Sequence, residues 1–340
     1  MKVNYIYLDI TDKCNLNCIY CCKKKTTSKK NTEINMNLLK EILDFGRCNG
    51  ATSITLSGGE PCLHSNFDGI LEKVREVGYE SLRVMTNGYL FRSKDCFSNI
   101  NLIDEICFSI DSADIVKNGN TRIGFQRDQF DWIQAFREDH KDISLTIKST
   151  ITKYNSNCIE ELICFARKYN FNKITFGYCL PIGLAAEEET FDDIACAPVC
   201  MLNVQNEIKK LQSKYKEIEI VEPCVVFGCK LLQDNTDFDL HIDECGNIFP
   251  CDGMNDERFI VGNLRDENGI SNIRVNIEQI KDLIKCRNKI CHKCSIDAFC
   301  NGICLLYGEP SNNYDGDKFC AFRRIKTIAN KMIQDVELNE

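Results

Sequence analysis

The sequence feature that most restricts the possible fold is the alternation of strand-like and helix-like segments along the first half of the chain. Strands are predicted at residues 4–10, 53–57, 81–86, 105–111, 143–152 and 173–180. Amphipathic helices are predicted between them at residues 36–48, 67–77, 130–138 and 158–168. This alternation predicts an α/β fold with a parallel sheet. The order alone leaves an open doubly wound sheet and a partial barrel as alternatives, and the lack of a glycine-rich fingerprint after the first strand disfavours a Rossmann fold.

The amino-acid composition indicates the cellular compartment of the protein and the kinds of partner it can bind. The chain has 340 residues, 23 cysteines and a formal net charge of −8. An acidic balance disfavours a nucleic-acid partner, which usually needs a basic surface. No apolar run is long enough to span a bilayer, and the N-terminus has no signal-peptide pattern. We therefore expect a cytoplasmic protein without a membrane partner, in which reduced cysteines bind metal rather than form disulfides.

Four cysteines lie in the segment DKCNLNCIYCC, directly after the first predicted strand. Cys14, Cys18 and Cys21 have the spacing C-x3-C-x2-C. Three thiolates on a short loop suit three corners of a cubane cluster and leave the fourth iron open to another ligand. Structural zinc sites, the alternative, usually have four protein ligands. The spacing therefore favours a [4Fe-4S] cluster.

Three more unusual turns follow later predicted strands. GGEP lies at residues 58–61, TNG at residues 86–88, and Ser109 and Asp111 end the fourth strand. In parallel α/β folds the loops at the carboxyl ends of the strands lie on one face, where ligands bind. Together with the cysteine segment, these turns predict one site.

These motifs resemble those of the radical SAM superfamily, whose C-x3-C-x-aromatic-C motif is matched by Cys14, Cys18, Tyr20 and Cys21. The resemblance implies a partial (β/α)6 TIM-like barrel in which S-adenosylmethionine (SAM) chelates the open iron. Reduction would cleave SAM and release a 5′-deoxyadenosyl radical that abstracts a substrate hydrogen. The resemblance also implies SAM-binding residues: Gly58, Gly59, Glu60 and Pro61 near the methionyl amine, Tyr20 at the adenine, Asn87 in the TNG turn, Ser109 and Asp111 near the ribose, and Arg122 at the carboxylate.

A second cysteine-rich region lies near the C-terminus, where CHKCSIDAFCNGIC has the spacing C-x2-C-x5-C-x3-C. It resembles the SPASM extension of radical SAM enzymes, which carries two auxiliary [4Fe-4S] clusters and would bring the total to three. The resemblance implies one cluster bound by Cys224, Cys229, Cys251 and Cys304, and another bound by Cys291, Cys294, Cys300 and Cys320. Two alternatives stay open: Cys245 in place of Cys229, and a zinc ribbon at residues 291–304.

The predicted domain order follows from these motifs. Residues 1–185 form the radical SAM partial barrel, 186–222 a linker with a helix, 223–325 a loop-rich SPASM domain held together by metal, and 326–340 a C-terminal helix and tail. Asp252 occupies the position of the proposed base of the related sulfatase-maturating enzymes, although a turn-capping role is the alternative. The lysine-rich stretch at residues 23–30 is expected to be a solvated loop.

The SPASM resemblance implies an enzyme that abstracts hydrogen from a residue of a ribosomally made peptide or protein and forms a thioether or C–C crosslink or an oxidised side chain. Alternatives are formylglycine formation in a sulfatase, peptide epimerisation, dehydrogenation of a small molecule, and a non-catalytic iron–sulfur sensor or electron carrier. The implied partners are the peptide or protein substrate and a flavodoxin- or ferredoxin-type reductant. Because the first strand begins only a few residues into the chain, we also expect a separate leader-recognition protein.

Overall fold

The computed structural model describes residues 2–23, 31–92, 97–125, 130, 132–186, 191, 193–223, 231, 237–266 and 269–291. Its strands are β1 (Lys2–Asp9), β2 (Asn17–Cys18), β3 (Ser53–Ser57), β4 (Ser81–Thr86), β5 (Glu105–Ser109), β6 (Arg122–Ile123), β7 (Ser144–Ile151), β8 (Lys173–Tyr178), β9 (Glu219–Val221), β10 (Asp237–Ile242), β11 (Asn247–Phe249) and β12 (Gly262–Asn263). Its α-helices are α1 (Met36–Cys48), α2 (Phe67–Glu76), α3 (Ile115–Thr121), α4 (Ile133–Asp139), α5 (Ile159–Lys168), α6 (Pro198–Lys214) and α7 (Ile273–Cys291).

Ten of these strands form one sheet in the order β12-β11-β10-β1-β3-β4-β5-β7-β8-β9. All neighbours from β10 to β9 pair in parallel, while β11 and β12 are antiparallel additions at one edge. The six predicted strands are β1, β3, β4, β5, β7 and β8, and they lie side by side in chain order. In a doubly wound sheet, the order of the strands along the chain would reverse at a switch point. The sequential order therefore confirms the barrel-type alternative.

Apolar side chains on alternate strand positions pack against the helices. Ile6, Leu8, Ile54, Leu56, Ile106 and Ile147 are fully or almost fully buried. Helix α1 contributes Leu39, Ile42 and Leu43 to the same core. It begins where the Asn35 side chain accepts hydrogen bonds from the backbone N–H groups of Asn37 and Leu38, as expected of an N-cap. One face of the sheet is thus covered by helices.

The other positions of the same strands carry polar side chains that contact one another across the sheet. The Tyr7 hydroxyl donates to Ser57 Oγ at 2.7 Å, and the Thr146 hydroxyl donates to Glu105 at 2.7 Å. Arg83 forms an ion pair with Glu105 at 2.6 Å. Because side chains alternate between the faces of a strand, these residues share the concave interior of the partial barrel. That interior is polar, as a ligand chamber requires.

The C-terminal region differs from its predicted loop-rich character. Strand β10 pairs in parallel with β1, and residues 273–291 form helix α7, so the prediction is wrong for these residues. Phe238, Leu240 and Ile242 are buried at alternate positions of β10. The intervening Asp239 and His241 made this strand hard to distinguish from a polar loop. Residues 292–340, with the predicted C-terminal helix, lie outside the described residues.

A further difference concerns the predicted linker at residues 186–222, which contains a strand as well as the expected helix. Helix α6 begins at Pro198, and β9 then extends the sheet beside β8. In the part of the chain that the structure describes, no helix combines the length and apolarity needed to cross a membrane.

Candidate active site

The GGE turn after β3 holds the start of the cysteine loop, which we define as residues 11–23. The Gly59 N–H donates to Thr11 O and the Glu60 N–H donates to Lys13 O, both at 2.7 Å. Gly58 has φ +134°, and a Cβ there would lie 2.2 Å from Thr11 O. Only glycine permits this backbone conformation and this close approach. The motif therefore fixes the loop just before its first cysteine.

Glu60 connects the GGE turn with the TNG turn after β4. Its carboxylate accepts hydrogen bonds from the Thr86 hydroxyl at 2.6 Å and from the Asn87 N–H at 2.7 Å. Burial raises the pKa of Glu60, and these donors offset the effect only in part. The Asn87 side chain reaches on to the cysteine loop at Asn15. The next residue in the motif, Pro61, is buried and begins a 3-10 helix.

Asp111, after β5, is the centre of a buried ionic cluster. Arg122 contacts it through Nη2 at 3.2 Å and Nε at 3.0 Å, and the Tyr20 and Thr121 hydroxyls donate to its Oδ2. The Arg122 guanidinium lies 5.6 Å from the Tyr20 ring centre and 3.8 Å from Cys18 Sγ. Burial opposes the charge on Arg122, but Asp111 outweighs this and raises the pKa of Arg122.

The middle and end of the cysteine loop are held by other strand ends. Strand β2, which includes Cys18, pairs with β6. The Leu184 N–H donates to Cys21 O at 3.0 Å, and the Asn255 side chain donates to Cys22 O at 2.9 Å. A Cβ on Gly183 would lie 2.2 Å from Cys21 O, so the turn after β8 packs directly on the loop. The loop is therefore fixed along its length.

A cavity of about 150 Å³ opens beside the loop. Its wall includes Cys14 and Cys21 together with Gly58 and Gly59. Three thiols on one loop are a donor set that a [4Fe-4S] cluster takes. Among the described residues, no three Cys, His, Asp or Glu side chains already converge closely enough to hold a metal ion. The fit of Cys14, Cys18 and Cys21 to a cluster thus rests on their chemistry and on their anchored loop.

The sequence analysis missed a buried polar cluster of Asp9, Lys23 and His241 on the same cavity wall. Lys23 Nζ lies 2.5 Å and His241 Nε2 2.7 Å from Asp9 Oδ2. Burial opposes ionisation of Asp9, but Lys23 and His241 outweigh it and lower the pKa of Asp9 to about 2. Lys23 was expected in a solvated loop, and that expectation is wrong for this residue because its ammonium pairs with buried Asp9. The sequence signal that could have indicated this cluster is Asp9 itself, a carboxylate at the end of a largely apolar strand.

Asp252 is the last residue of the C-terminal hairpin, which we define as residues 237–252 and which includes the antiparallel strands β10 and β11. Its side chain is exposed, and its charge acts on Tyr5, Tyr7 and Lys23. Burial, reinforced by this charge and partly offset by Thr55 and Arg83, raises the pKa of Tyr5 to about 12. The C-terminal hairpin therefore brings a carboxylate to the chamber that the cysteine loop borders.

The remaining predicted site residues fall into two groups. Ser109 is half-buried and pairs in register with Lys148 on β7. Cys251 and Cys245 are half-buried on the C-terminal hairpin, and Cys291 is described only as the last residue of α7. The other predicted ligands lie outside the described residues: Cys224, Cys229, Cys294, Cys300, Cys304 and Cys320.

The sequence profile of the Radical SAM superfamily matches residues 8–194. This is more than half of the 340 residues, and the chain belongs to the radical SAM superfamily. Membership implies an enzyme that uses SAM and a [4Fe-4S] cluster.

Individual relatives differ in how much of the chain they cover. GTP 3′,8-cyclase of Marinobacter nauticus is 32% identical over 195 residues, which are 55% of this chain and 57% of that protein. The chain thus spans little more than half of that relative. Streptococcus suis SuiB bound to precursor peptide SuiA gives a TM-score of 0.68 at 15% identity, covering 90% of this chain and 72% of SuiB. Native anSMEcpe with bound AdoMet and Cp18Cys peptide gives 0.65 at 17%, covering 97% and 99%. At these identities the likeness shows a shared fold.

Proposed function

We propose that this chain is a radical SAM/SPASM enzyme that modifies a residue of a ribosomally made peptide or protein. A [4Fe-4S] cluster held by Cys14, Cys18 and Cys21 would supply the electron that cleaves SAM to methionine and a hydrogen-abstracting 5′-deoxyadenosyl radical. The GGE turn, Asn87 and the Asp111 cluster hold the loop that carries these thiols. The product we expect is a thioether or C–C crosslink or an oxidised side chain.

The observation that carries this proposal is the joining of the C-terminal hairpin to the barrel. Strand β10 adds directly to β1, and the residues after the hairpin reach the cysteine loop, where the Asn255 side chain donates to Cys22 O at 2.9 Å. The charge of nearby Asp252 helps to raise the pKa of Tyr5 in the polar interior. A carboxylate near this interior is suited to accept a proton from a substrate side chain. The two structural neighbours, each solved with a bound peptide, support a peptide substrate for the same fold.

The auxiliary clusters remain part of the proposal and rest on the cysteine pattern. If they accept an electron from the substrate, Cys291→Ala should retain some uncoupled SAM cleavage while product formation is lost. Cys14→Ala should lose both. Equal loss of SAM cleavage in the two variants would contradict separate roles for the clusters.

A second candidate follows from the curated relative, which is a GTP 3′,8-cyclase. The region aligned with this relative covers 55% of this chain. Incubation of the reduced protein with SAM and GTP tests this candidate, because a cyclised nucleotide would form only if GTP is the substrate.

The test of the main proposal is the mass of short peptides encoded beside the gene, co-expressed anaerobically with this protein in H2O and in D2O. Loss of two hydrogens would indicate a crosslink or oxidation, and fragmentation would locate it. Gain of one deuteron in D2O without a mass change in H2O would indicate epimerisation. Peptides unchanged in both solvents, and identical to those made with Cys14→Ala, would contradict a peptide substrate from this source.

A further inference from the structure

A lysine and a cysteine that are 41 positions apart in the chain are in direct contact. Lys117 belongs to α3, and its Nζ lies 3.1 Å from Sγ of Cys158, the residue just before α5. The thiol also donates to the side-chain oxygen of Asn157 at 3.2 Å. A thiol is a weak donor and a weak acceptor, and these two neighbours fill both roles. The contact therefore fixes an amine nitrogen beside a thiol sulfur.

The exposure of the two side chains determines which oxidants can reach the sulfur. Cys158 is 1% exposed, whereas Lys117 is half-buried. A thiol covered to this extent is closed to proteins and to bulky thiols, but hydrogen peroxide is little larger than water. The ammonium beside it favours the thiolate, which is the form that reacts. A sulfenic acid formed by peroxide at Cys158 would thus meet the Lys117 nitrogen before any external thiol.

A sulfenic acid is able to condense with a neighbouring nitrogen. In the first step, the thiol of Cys158 takes one oxygen atom from hydrogen peroxide, and water leaves. In the second step, the nitrogen of Lys117 attacks the sulfur, an S–N bond forms, the S–O bond breaks, and water and the surplus proton of the ammonium leave. The sulfur loses two electrons, and they reduce one peroxide to two water molecules over both steps.

The protonation of Lys117 responds to the first step. Its contact with Cys158 is the main reason why the pKa of Lys117 is raised, and Glu161 and Asp114 add to the effect. A neutral sulfenic acid lacks the thiolate charge that contributes to this contact, so oxidation weakens the interaction that keeps the amine protonated. The amine therefore becomes a better nucleophile once the sulfur has been oxidised.

The position of the contact connects it with the candidate active site. Helix α3 carries two partners of Asp111: Asn118 Oδ1 accepts from the Asp111 N–H at 2.8 Å, and the Thr121 hydroxyl donates to Asp111 Oδ2 at 2.9 Å. Lys117 directly precedes Asn118. A bond between Lys117 and Cys158 would therefore tether the helix that supports Asp111 to the start of α5.

We propose that Lys117 and Cys158 form a covalent S–N crosslink when the protein meets hydrogen peroxide, and that this crosslink is a redox-dependent tether between α3 and α5. The proposal goes beyond the proposed function and does not depend on it, because the crosslink involves neither SAM nor the cysteine loop. Its outcome is read from peptide masses rather than from SAM cleavage.

The test is peptide mapping of the full-length, cluster-reconstituted protein after treatment with hydrogen peroxide, with the remaining thiols blocked by N-ethylmaleimide before digestion. We expect a linked pair of peptides that contains Lys117 and Cys158, is two hydrogens lighter than the two reduced peptides, and separates on treatment with dithiothreitol. This measurement on the wild-type protein needs no variant.

A variant and a second thiol provide the controls. Lys117→Arg keeps a positive charge and N–H donors but has no amine that loses its proton, so the linked pair should be lost. Cys158 should then remain a sulfenic acid that dimedone labels. Exposed Cys164, which contacts the Tyr215 hydroxyl at 3.5 Å rather than an amine, should be labelled by dimedone in both proteins without a linked pair.

Three results would overturn the proposal. Unmodified Cys158 in a protein whose Cys164 is oxidised would show that peroxide does not reach the buried thiol. A sulfenic or sulfinic acid at Cys158 of the wild type, without a linked pair, would show that Lys117 does not react. A disulfide from Cys158 would assign its oxidation to a thiol partner. A linked pair that retains one oxygen atom would support the crosslink and would mean that a second peroxide is consumed.

Discussion

The Asn87 side-chain amide donates a hydrogen bond to Asn15 Oδ1 at 2.8 Å and so joins the turn after β4 to the cysteine loop. The side-chain oxygen Oδ1 of Asn87 also accepts a hydrogen bond from the Tyr89 N–H at 2.9 Å. Asn87→Asp keeps that acceptor but removes the donor to Asn15. We expect SAM binding to weaken about three- to tenfold, the effect of one lost hydrogen bond. Equilibrium SAM binding by the iron-loaded protein measures this, with Asn37→Asp on the exposed face of α1 as control. Equal affinities would show that the contact does not support the site.

The buried pair of Asp111 and Arg122 predicts a large loss of stability. Their side chains are 0% and 8% exposed. Asp111→Asn leaves the Arg122 guanidinium buried without its counter-charge, which should lower the free energy of unfolding by about 3–5 kcal/mol. The exposed pair of Lys40 and Asp44 gives the control, because Asp44→Asn should change stability by less than about 1 kcal/mol. Similar urea unfolding curves for the two variants would contradict the ionic role of Asp111.

Gly58 and Gly119 predict opposite results of the same substitution. Gly58→Ala puts a Cβ 2.2 Å from Thr11 O at a φ of +134°, whereas a Cβ on Gly119 meets nothing within 4 Å. We expect Gly58→Ala to destabilise the fold by about 1–3 kcal/mol and to lower iron content. Gly119→Ala, within α3, should be neutral or stabilise by up to about 1 kcal/mol. Full iron loading and unchanged stability in Gly58→Ala would mean that the turn does not hold the loop.

Buried Glu60 predicts a pH dependence of stability. Burial raises its pKa above the unfolded value of 4.5, so the folded chain holds this proton more tightly than the unfolded chain does. The contribution of Glu60 to stability is therefore largest below pH 4.5 and declines as the pH rises through the folded pKa. Glu60→Gln removes this decline, and its unfolding free energy should fall less steeply from pH 5 to pH 8 than that of the wild type. Exposed Glu41→Gln is the control, and parallel curves for all three proteins would contradict the prediction.

The strands and helices that were predicted well from the sequence are those with one clear pattern of apolar residues. Strands β3 and β4 and helix α1 have their predicted bounds, because apolar residues recur there with the period of a strand or a helix. The turns after β3, β4 and β5 meet the cysteine loop, as expected of carboxyl strand ends in a parallel sheet.

Contacts between segments that are distant in the chain could not be predicted from the sequence. Asp9 and His241 are 232 positions apart, and they meet only because β10 pairs with β1. The same contact explains Lys23, whose ammonium turns inward to a carboxylate that no local pattern connects to it. Arg122 is a similar case. Its local sequence, TRIGF, gives no sign that the side chain is buried, yet it is 8% exposed and pairs with Asp111.

The most direct test of the account is the formation of 5′-deoxyadenosine from SAM by the anaerobically reconstituted, reduced protein. We predict that the wild type cleaves SAM and that Cys14→Ala, folded to the same extent by circular dichroism, does not. Cys48→Ala on the exposed end of α1 should cleave SAM like the wild type, which controls for loss of a thiol as such. A wild-type protein that holds iron and binds SAM but forms no 5′-deoxyadenosine, or a Cys14→Ala variant as active as the wild type, would contradict the account.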